Sequence, residues 1–494
     1  MAVTHASKAT GTRPEPRSPR FFLALAAGKA AALALKITRH KGGQVPGTVA
    51  EAVCPDFLAR MPKPRTTVFV TGTNGKTTTS NLLDDILLAS GFDLVTNRSG
   101  GNIITGVESS LIKESYLTGA PRRAVACMEL DELSSRRVLP VMPPTLMLVC
   151  NLYRDNFTRN ANPDYIFSVI DRAIPASAHL VLNADDLMSC RLAPQATNRT
   201  YFSIARLPGD SDHAEGIVCD LTACPECGGR LEYDYCHLRH LGHARCVSCG
   251  FTNPEPDYLV TSVDEEAHEF TVKELCHATD ASMPKARDAT APAHMYRIGT
   301  YSITNLYNLL AALVCARELG VPAETLEKIL GGGRVNVTAA RFSERTVAGV
   351  RLVNTASKGE NSTATSTALA TIVREPGAKA VVLMLADYYL ASNPKKTEYT
   401  GWYYQADFEY LADPQVKQVV IMGANSDDLL LRLLLAGIDP SRIQTVPDEV
   451  SAAATIDLTD IDGVFCAFDI FNGDQADRFR DQVAKRLEAR QPRA

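Results

Sequence analysis

Apolar runs of strand length, each followed by a segment long enough for a helix, recur from Thr66 onward. VFV (68–70), AVACMEL (124–130), TLMLVCNL (145–152) and HLVLNA (179–184) are continuous rather than alternating. That is the pattern of strands covered on both faces, so parallel strands with helical crossovers are predicted. SITNLYNLLAALVCARELG (302–320) predicts a long helix, and the GGG at 331–333 marks a boundary. Beyond it VRLVN, AVVLMLA, QVVIMG and GVFCAF alternate with helical segments. The fold class is therefore α/β, with one parallel-rich domain over 65–335 and a second over 336–494.

The chain opens differently. Residues 1–20 are polar, basic and proline-containing, and predict a disordered leader. A helical segment packing on the core is expected over 21–64. Its apolar stretch FFLALAAGKAAALALKITRHK is interrupted by Lys29, and the uncharged runs on either side fall short of the roughly 20 residues of a span. An alanine-rich packed helix is the first reading. A contact of Lys36, Arg39, His40 and Lys41 with the inner leaflet of a membrane is the second.

Composition narrows the classes. The 494 residues exceed one core and suggest roughly three domains. A net charge of -5 gives no basic field, which argues against nucleic acid. Of thirteen cysteines only four fall in tight pairs, and no secretory pattern opens the chain, which suits a reducing cytoplasm.

The segment VTGTNGKTTT (70–79) follows a predicted strand and precedes a predicted helix. Gly72, Thr73, Asn74 and Gly75 form a tight turn whose amides can face phosphate oxygens. Lys76 supplies a positive charge for the β and γ phosphates, Thr77 a hydroxyl for Mg²⁺, and Thr78 opens the helix whose positive end faces the same place. ATP is the expected ligand. The full Walker spacing is absent, because Val70 stands where its first glycine would be.

These residues resemble the ATP loop of the Mur ligases and folylpolyglutamate synthetases. Further motifs follow in the same order: TNRSGGN (96–102), MELDE (128–132), NLYRDN (151–156), NADD (183–186) and TNLYN (304–308). The resemblance implies Asn102 near the γ-phosphate, Glu129 as a magnesium ligand, Asn183 and Asp185 on the nucleotide side, and Asn305 at the adenine. Asp155 is retained from the family's NLxxDH segment. The amino-acid-adding ligases carry His where this chain has Asn156, and a lysine that PDYIFSVIDRAI lacks, which sets their mode apart.

Residues 217–256 interrupt the rhythm. Cys224-Pro-Glu-Cys227 and Cys246-Val-Ser-Cys249 are paired knuckles, each followed by glycine, and together predict an inserted ribbon around a structural Zn²⁺. Four thiolates leave no position for a catalytic water. Cys219, Cys236, His237, His240 and His243 are expected to be bystanders. Arg230, Arg239 and Arg245 are balanced by Glu226, Glu232 and Asp234, so the ribbon shows no nucleic-acid stripe.

A Mur-type core interrupted by such a ribbon resembles the MurT-type subunits of lipid II isoglutaminyl synthases. ALKITRHKGGQVPG, GFTNPEPDY, LADYYL and GWYYQADFEYL add to the likeness. It implies ATP-dependent amidation of the D-glutamate α-carboxylate of lipid II or a related muropeptide, with ammonia from a separate GatD-type glutaminase, in the cytoplasm or at the inner membrane face. Lys76 and Glu129 would be catalytic. The family's C-terminal aspartate is replaced by Tyr399, so Glu398 or Asp387 would take its part. Arg334 and Arg341 are alternative phosphate-facing arginines. Two rivals remain: a ligase of this fold acting on another carboxylate, and a weakly active scaffold that binds a glutaminase-like protein.

Overall fold

Val68 and Val70 face one side of β1 (Thr66–Thr71) and Phe69 the other, and all three are fully buried. The continuous apolar run demands that double cover. The structure is a computed structural model and describes residues 16–40, 42–98, 101–154, 162–214, 216–217, 219–277, 286–287, 291–299, 301–333, 335, 342–357, 360–385, 399–423, 425–469 and 472–490. The chain divides into two units. One comprises residues 1–153, 163–215 and 221–337, and the other residues 154–162, 216–220 and 338–494. The sequence places a boundary near 335, and the last segment of the first unit ends at 337.

In the first unit, β1 lies between β3 (Val125–Glu129) and β4 (Leu146–Val149), with β2 (Leu94–Thr96) beyond β3. On the other flank come β5 (His179–Asn183), β6 (Arg199–Ile204) and then β9 (Tyr258–Asp264), all parallel. The sheet is completed by the antiparallel strands β10 (Glu269–Glu274) and β13 (Ala293–Arg297). Their alternating burial leaves one face to solvent, unlike the central strands. Strand order reverses at β1, and the crevice beyond the carboxyl ends at such a point is where open α/β sheets bind ligands.

The helices α1 (Pro19–Thr38), α2 (Val45–Val53), α3 (Phe57–Arg60), α5 (Ile104–Lys113), α6 (Ser135–Val138) and α7 (Pro163–Ala173) share the Phe69 face. The other face carries α4 (Lys76–Ala89), α8 (Ile303–Glu318) and α9 (Ala323–Gly331). Ser18 caps α1, accepting from the Phe21 amide at 3.3 Å, and Pro19 follows at the first helical position. α1 runs without a break through Lys29 and is long and apolar enough, by length and composition, to cross a membrane. It is nevertheless packed on the domain. Lys29 Nζ donates to the Ile112 and Ser115 carbonyls, each at 2.8 Å, at the end of α5.

The ribbon hairpin is β7 (Leu231–Leu238) and β8 (Leu241–Cys246), and a small pair, β11 (Cys276–His277) and β12 (Ala286–Arg287), lies further on.

The second unit has its own sheet, in the order β14 (Phe342–Val347), β15 (Val350–Ser357), β19 (Gly463–Asp469), β16 (Lys379–Met384), β17 (Val416–Met422) and β18 (Ile443–Val446). β14 is antiparallel to β15 through the two-residue turn Ala348-Gly349, whose φ of 51° and 82° suit a hairpin. α10 (Ser362–Arg374) and the helix Ser426–Leu435 cover one face, and the helices Glu449–Thr455 and Gly473–Arg490 the other. The four predicted strands are β15, β16, β17 and β19. The two edges, FSERTV and IQTV, are short or polar and were not foreseen from the sequence.

Candidate active site

The loop that leaves β1 turns on two glycines. Gly72 has φ +135° and Gly75 φ +82°, where a side chain is rarely tolerated. A Cβ on Gly75 would stand 2.1 Å from Asn308 Oδ1, and one on Gly72 would stand 3.0 Å from the Asn151 carbonyl oxygen. Asn151, just past β4, clamps the loop. Its carbonyl accepts from the Thr73 amide at 3.0 Å, its Oδ1 from the Asn74 amide at 2.9 Å, and its Nδ2 donates to the Asn74 carbonyl at 3.1 Å. Thr73 Oγ1 donates to the Tyr153 carbonyl at 2.8 Å.

α4 begins at Lys76, so its free amides and dipole point into this turn. Lys76 is buried and its Nζ lies 2.7 Å from Glu132 Oε1, with further donation to the Gly72 and Thr73 carbonyls. Thr77 is exposed and Thr78 half-buried on the next positions. Thr79 Oγ1 donates to Asn308 Oδ1 at 3.2 Å, which ties α4 to α8.

Glu129 closes β3. Its Oε1 accepts from Asn102 Nδ2 at 2.8 Å. Asn97 holds the same strand end by its backbone: Oδ1 accepts from the Glu129 amide, and Nδ2 donates to the Glu129 carbonyl, both at 2.8 Å. The Asn102 and Glu129 side chains, taken from two separate motifs, therefore meet. Glu132, Asn97, Asn151 and Asn308 were not singled out. Each lies within a motif that the sequence quotes, and it is the fold that brings them to the loop.

Asn183 and Asp185 are buried and engaged by the protein. Asn183 Oδ1 accepts from the Asp185 amide at 3.0 Å and its Nδ2 donates to the Cys150 carbonyl at 3.3 Å. The Asp185 carboxylate accepts from Ser203 Oγ at 2.6 Å, the Ile204 amide at 2.9 Å and Tyr307 Oη at 2.8 Å. Burial raises its pKa. Asn305 sits in the first turn of α8, its amide donating to the capping Ser302 Oγ at 3.1 Å. Asp155, Asn156, Arg334, Arg341, Asp387 and Glu398 lie outside the described residues.

The four predicted cysteines converge. The Sγ atoms of Cys224, Cys227, Cys246 and Cys249 all lie within 4.8 Å of one another, with 3.7 Å between Cys224 and Cys249 and 3.5 Å between Cys227 and Cys246. Zn–S bonds of about 2.3 Å in a tetrahedron put sulfurs about 3.8 Å apart, so the cluster fits Zn²⁺. The neighbouring groups are occupied elsewhere. Cys236 Sγ donates to the Arg239 carbonyl, and His237, His240 and His243 pair with Asp210, Asp186 and Asp234.

Residues 359–465 match the family model described as MurT ligase C-terminal. The MurT subunit of lipid II isoglutaminyl synthase (glutamine-hydrolyzing) from Staphylococcus aureus strain COL is 29% identical over 427 residues, covering 85% of this chain and 89% of that one. Its counterpart from Streptococcus pneumoniae is 27% identical over 434 residues, covering 85% and 88%. Among solved structures, a pseudomurein peptide ligase type C from Methanothermus fervidus aligns with a TM-score of 0.58 at 18% identity, over 87% of this chain and 80% of that one. MurF ligase from Thermotoga maritima in complex with ADP aligns with a TM-score of 0.54 at 16% identity, over 90% and 85%. The chain is thus a divergent relative of the MurT-type ligase subunits, built on the Mur ligase fold.

Proposed function

We propose that the chain uses ATP to amidate the α-carboxylate of D-glutamate in lipid II, acting at the cytoplasmic face with ammonia from a separate GatD-type glutaminase subunit. The observation that carries this is the turn Gly72–Lys76 between β1 and α4, with Glu129 bonded to Asn102 at the end of the neighbouring strand β3, in a chain whose relatives are named as such subunits.

The chemistry follows from the leaving group. A carboxylate oxygen departs poorly, and a phosphate departs well. A substrate carboxylate oxygen attacks the γ-phosphorus of ATP, ADP leaves, and an acyl phosphate forms. Ammonia then attacks the carbonyl carbon, inorganic phosphate leaves with the C–O electron pair, and the nitrogen sheds a proton to give the amide. Lys76 and the amides at the start of α4 hold the phosphate oxygens in line and offset their charge, while the Thr73 and Asn74 amides stay with Asn151. Thr77 and Glu129 are the residues that would hold Mg²⁺, which supplies further positive charge at those oxygens when bound. Asn102 fixes the Glu129 carboxylate.

Among the described residues, the cysteines other than the four of the cluster are buried except the half-buried Cys219. Burial pushes the Cys150 thiol up to about 12, the reverse of what a glutaminase nucleophile needs. A separate ammonia source fits that chemistry. The test is purified protein with ATP, Mg²⁺, lipid II and ammonium salt. Amide formation coupled to phosphate release is expected, and ATP turnover indifferent to lipid II would refute the reading.

A further inference from the structure

We propose that the solvent face of α1 is a membrane-docking surface that lies flat on an anionic phospholipid bilayer. α1 carries apolar side chains on every side, and apolar surface of that extent needs cover beyond one face. The protein covers one side, through Phe21, Ala24, Leu25 and Gly28. The other side stays in solvent, with Phe22 at 45%, Leu23 at 65%, Leu33 at 58% and Ile37 at 73% exposure. Exposed Ala26 and Ala30 lie between them, and the spacing 22, 26, 30, 33, 37 keeps one stripe along the helix. Next to the start of α1, Gly119 packs on Phe21 and Arg17 Nη1 donates to the Thr118 carbonyl at 3.0 Å. That loop adds Tyr116 and Leu117, 54% and 82% exposed, to the patch.

Charge selects the occupant. α1 contains no Asp or Glu in a protein of net charge -5. Arg17 and Arg20 flank one end, Lys36 and Arg39 the other, and Arg122 lies 5.0 Å over the Tyr116 ring. The bordering carboxylates Asp56 and Glu114 are paired with Arg60 and Arg123. An apolar stripe rimmed by cations matches acyl chains beneath anionic headgroups. A second copy set antiparallel on the same face would bring cationic ends together. The Lys29 bonds to Ile112 and Ser115 hold the helix along the domain, so it lies in the interface rather than spanning it.

The chain that follows the docking helix passes beside the site. Gln44, in the connection to α2, packs against Gly101, the residue before Asn102. Contact with headgroups would hold the Asn102–Glu129 loop close to a substrate carried on lipid.

The experiment is cosedimentation of the full chain with phosphatidylcholine vesicles, with and without phosphatidylglycerol, in the absence of nucleotide. Binding to the anionic vesicles is expected, about fivefold weaker for each of Lys36→Gln and Arg39→Gln. The triple variant Leu23→Glu, Leu33→Glu, Ile37→Glu should lose about tenfold or more, with unchanged melting because all three side chains are exposed. Equal binding by the triple variant, no vesicle binding by the native chain, or a dimer that the triple variant dissolves would each overturn the inference. The triple variant should still amidate a soluble muropeptide at the native rate, so failure of the docking and failure of the amidation reading are told apart.

Discussion

Lys76 and Glu132 form a buried ion pair, Nζ to Oε1 at 2.7 Å, in the turn proposed to receive nucleotide phosphates. The lysine is thereby held at the head of α4 before any phosphate arrives, which lowers the ordering cost of binding. Lys76→Ala should abolish ATP turnover and also strand the Glu132 carboxylate, costing about 3–5 kcal/mol in urea denaturation. The double variant Lys76→Met, Glu132→Leu should recover most of that stability and none of the activity. Recovered activity would show that the pair is structural only.

Glu129 and Asn102 divide a different task. Glu129→Gln should lower kcat about 100-fold or more and raise the Mg²⁺ concentration for half-maximal rate. Asn102→Ala leaves the carboxylate in place but free to turn, so a smaller loss of about tenfold, partly restored by excess Mg²⁺, is expected. The two Mg²⁺ titrations measure both.

Gly75→Ala forces a side chain into positive φ and onto Asn308 Oδ1. A loss of about 1–3 kcal/mol is expected, with nucleotide binding by calorimetry weakened more than the fold. Asn308→Ala in the same background relieves the clash but not the φ strain, and should recover only part of the loss.

This division between what the sequence discloses and what it withholds follows from distance along the chain. The phosphate turn, the strand before it and the paired CxxC knuckles are local, and each was legible because one short stretch carries the whole signal. Glu132 and Asn308 gain their roles only when β3 and α8 come to the turn, and no periodicity announces that. Asn183 and Asp185 stand in a recognisable motif. In the structure they join β5, β6 and α8 by hydrogen bonds inside the protein. The edge strands β14 and β18 lacked the apolar run that betrays a central strand.

The ribbon should hold one zinc per chain by atomic emission. Chelation, or Cys224→Ser, should lower the melting temperature by several degrees, because metal binding contributes to folding there. Amidation measured well below that melting point should persist in the Cys224→Ser protein, since the four thiolates take no part in the reaction.

Glu108 on α5 supplies a pH test. Burial, with Glu51 adding repulsion against the partial relief of Arg137 and Lys63, pushes its carboxyl up to about 8. A raised acid pKa means that the folded state prefers the protonated form. Its stabilising share is whole below the unfolded value near 4.5 and is lost as pH rises to about 8. Glu108→Gln should match the native chain near pH 4 and exceed it by a few kcal/mol at most near pH 9. Urea midpoints across that range decide it.

Asn308 stands 229 residues after Thr79, to which it is bonded. A growing chain on the ribosome therefore cannot finish its nucleotide cradle when the glycine turn emerges. It must first thread most of the large sheet and the metal hairpin, and closure over so long a separation is slow. Competence to use ATP at this turn would then arrive late in synthesis, after α8 has been made.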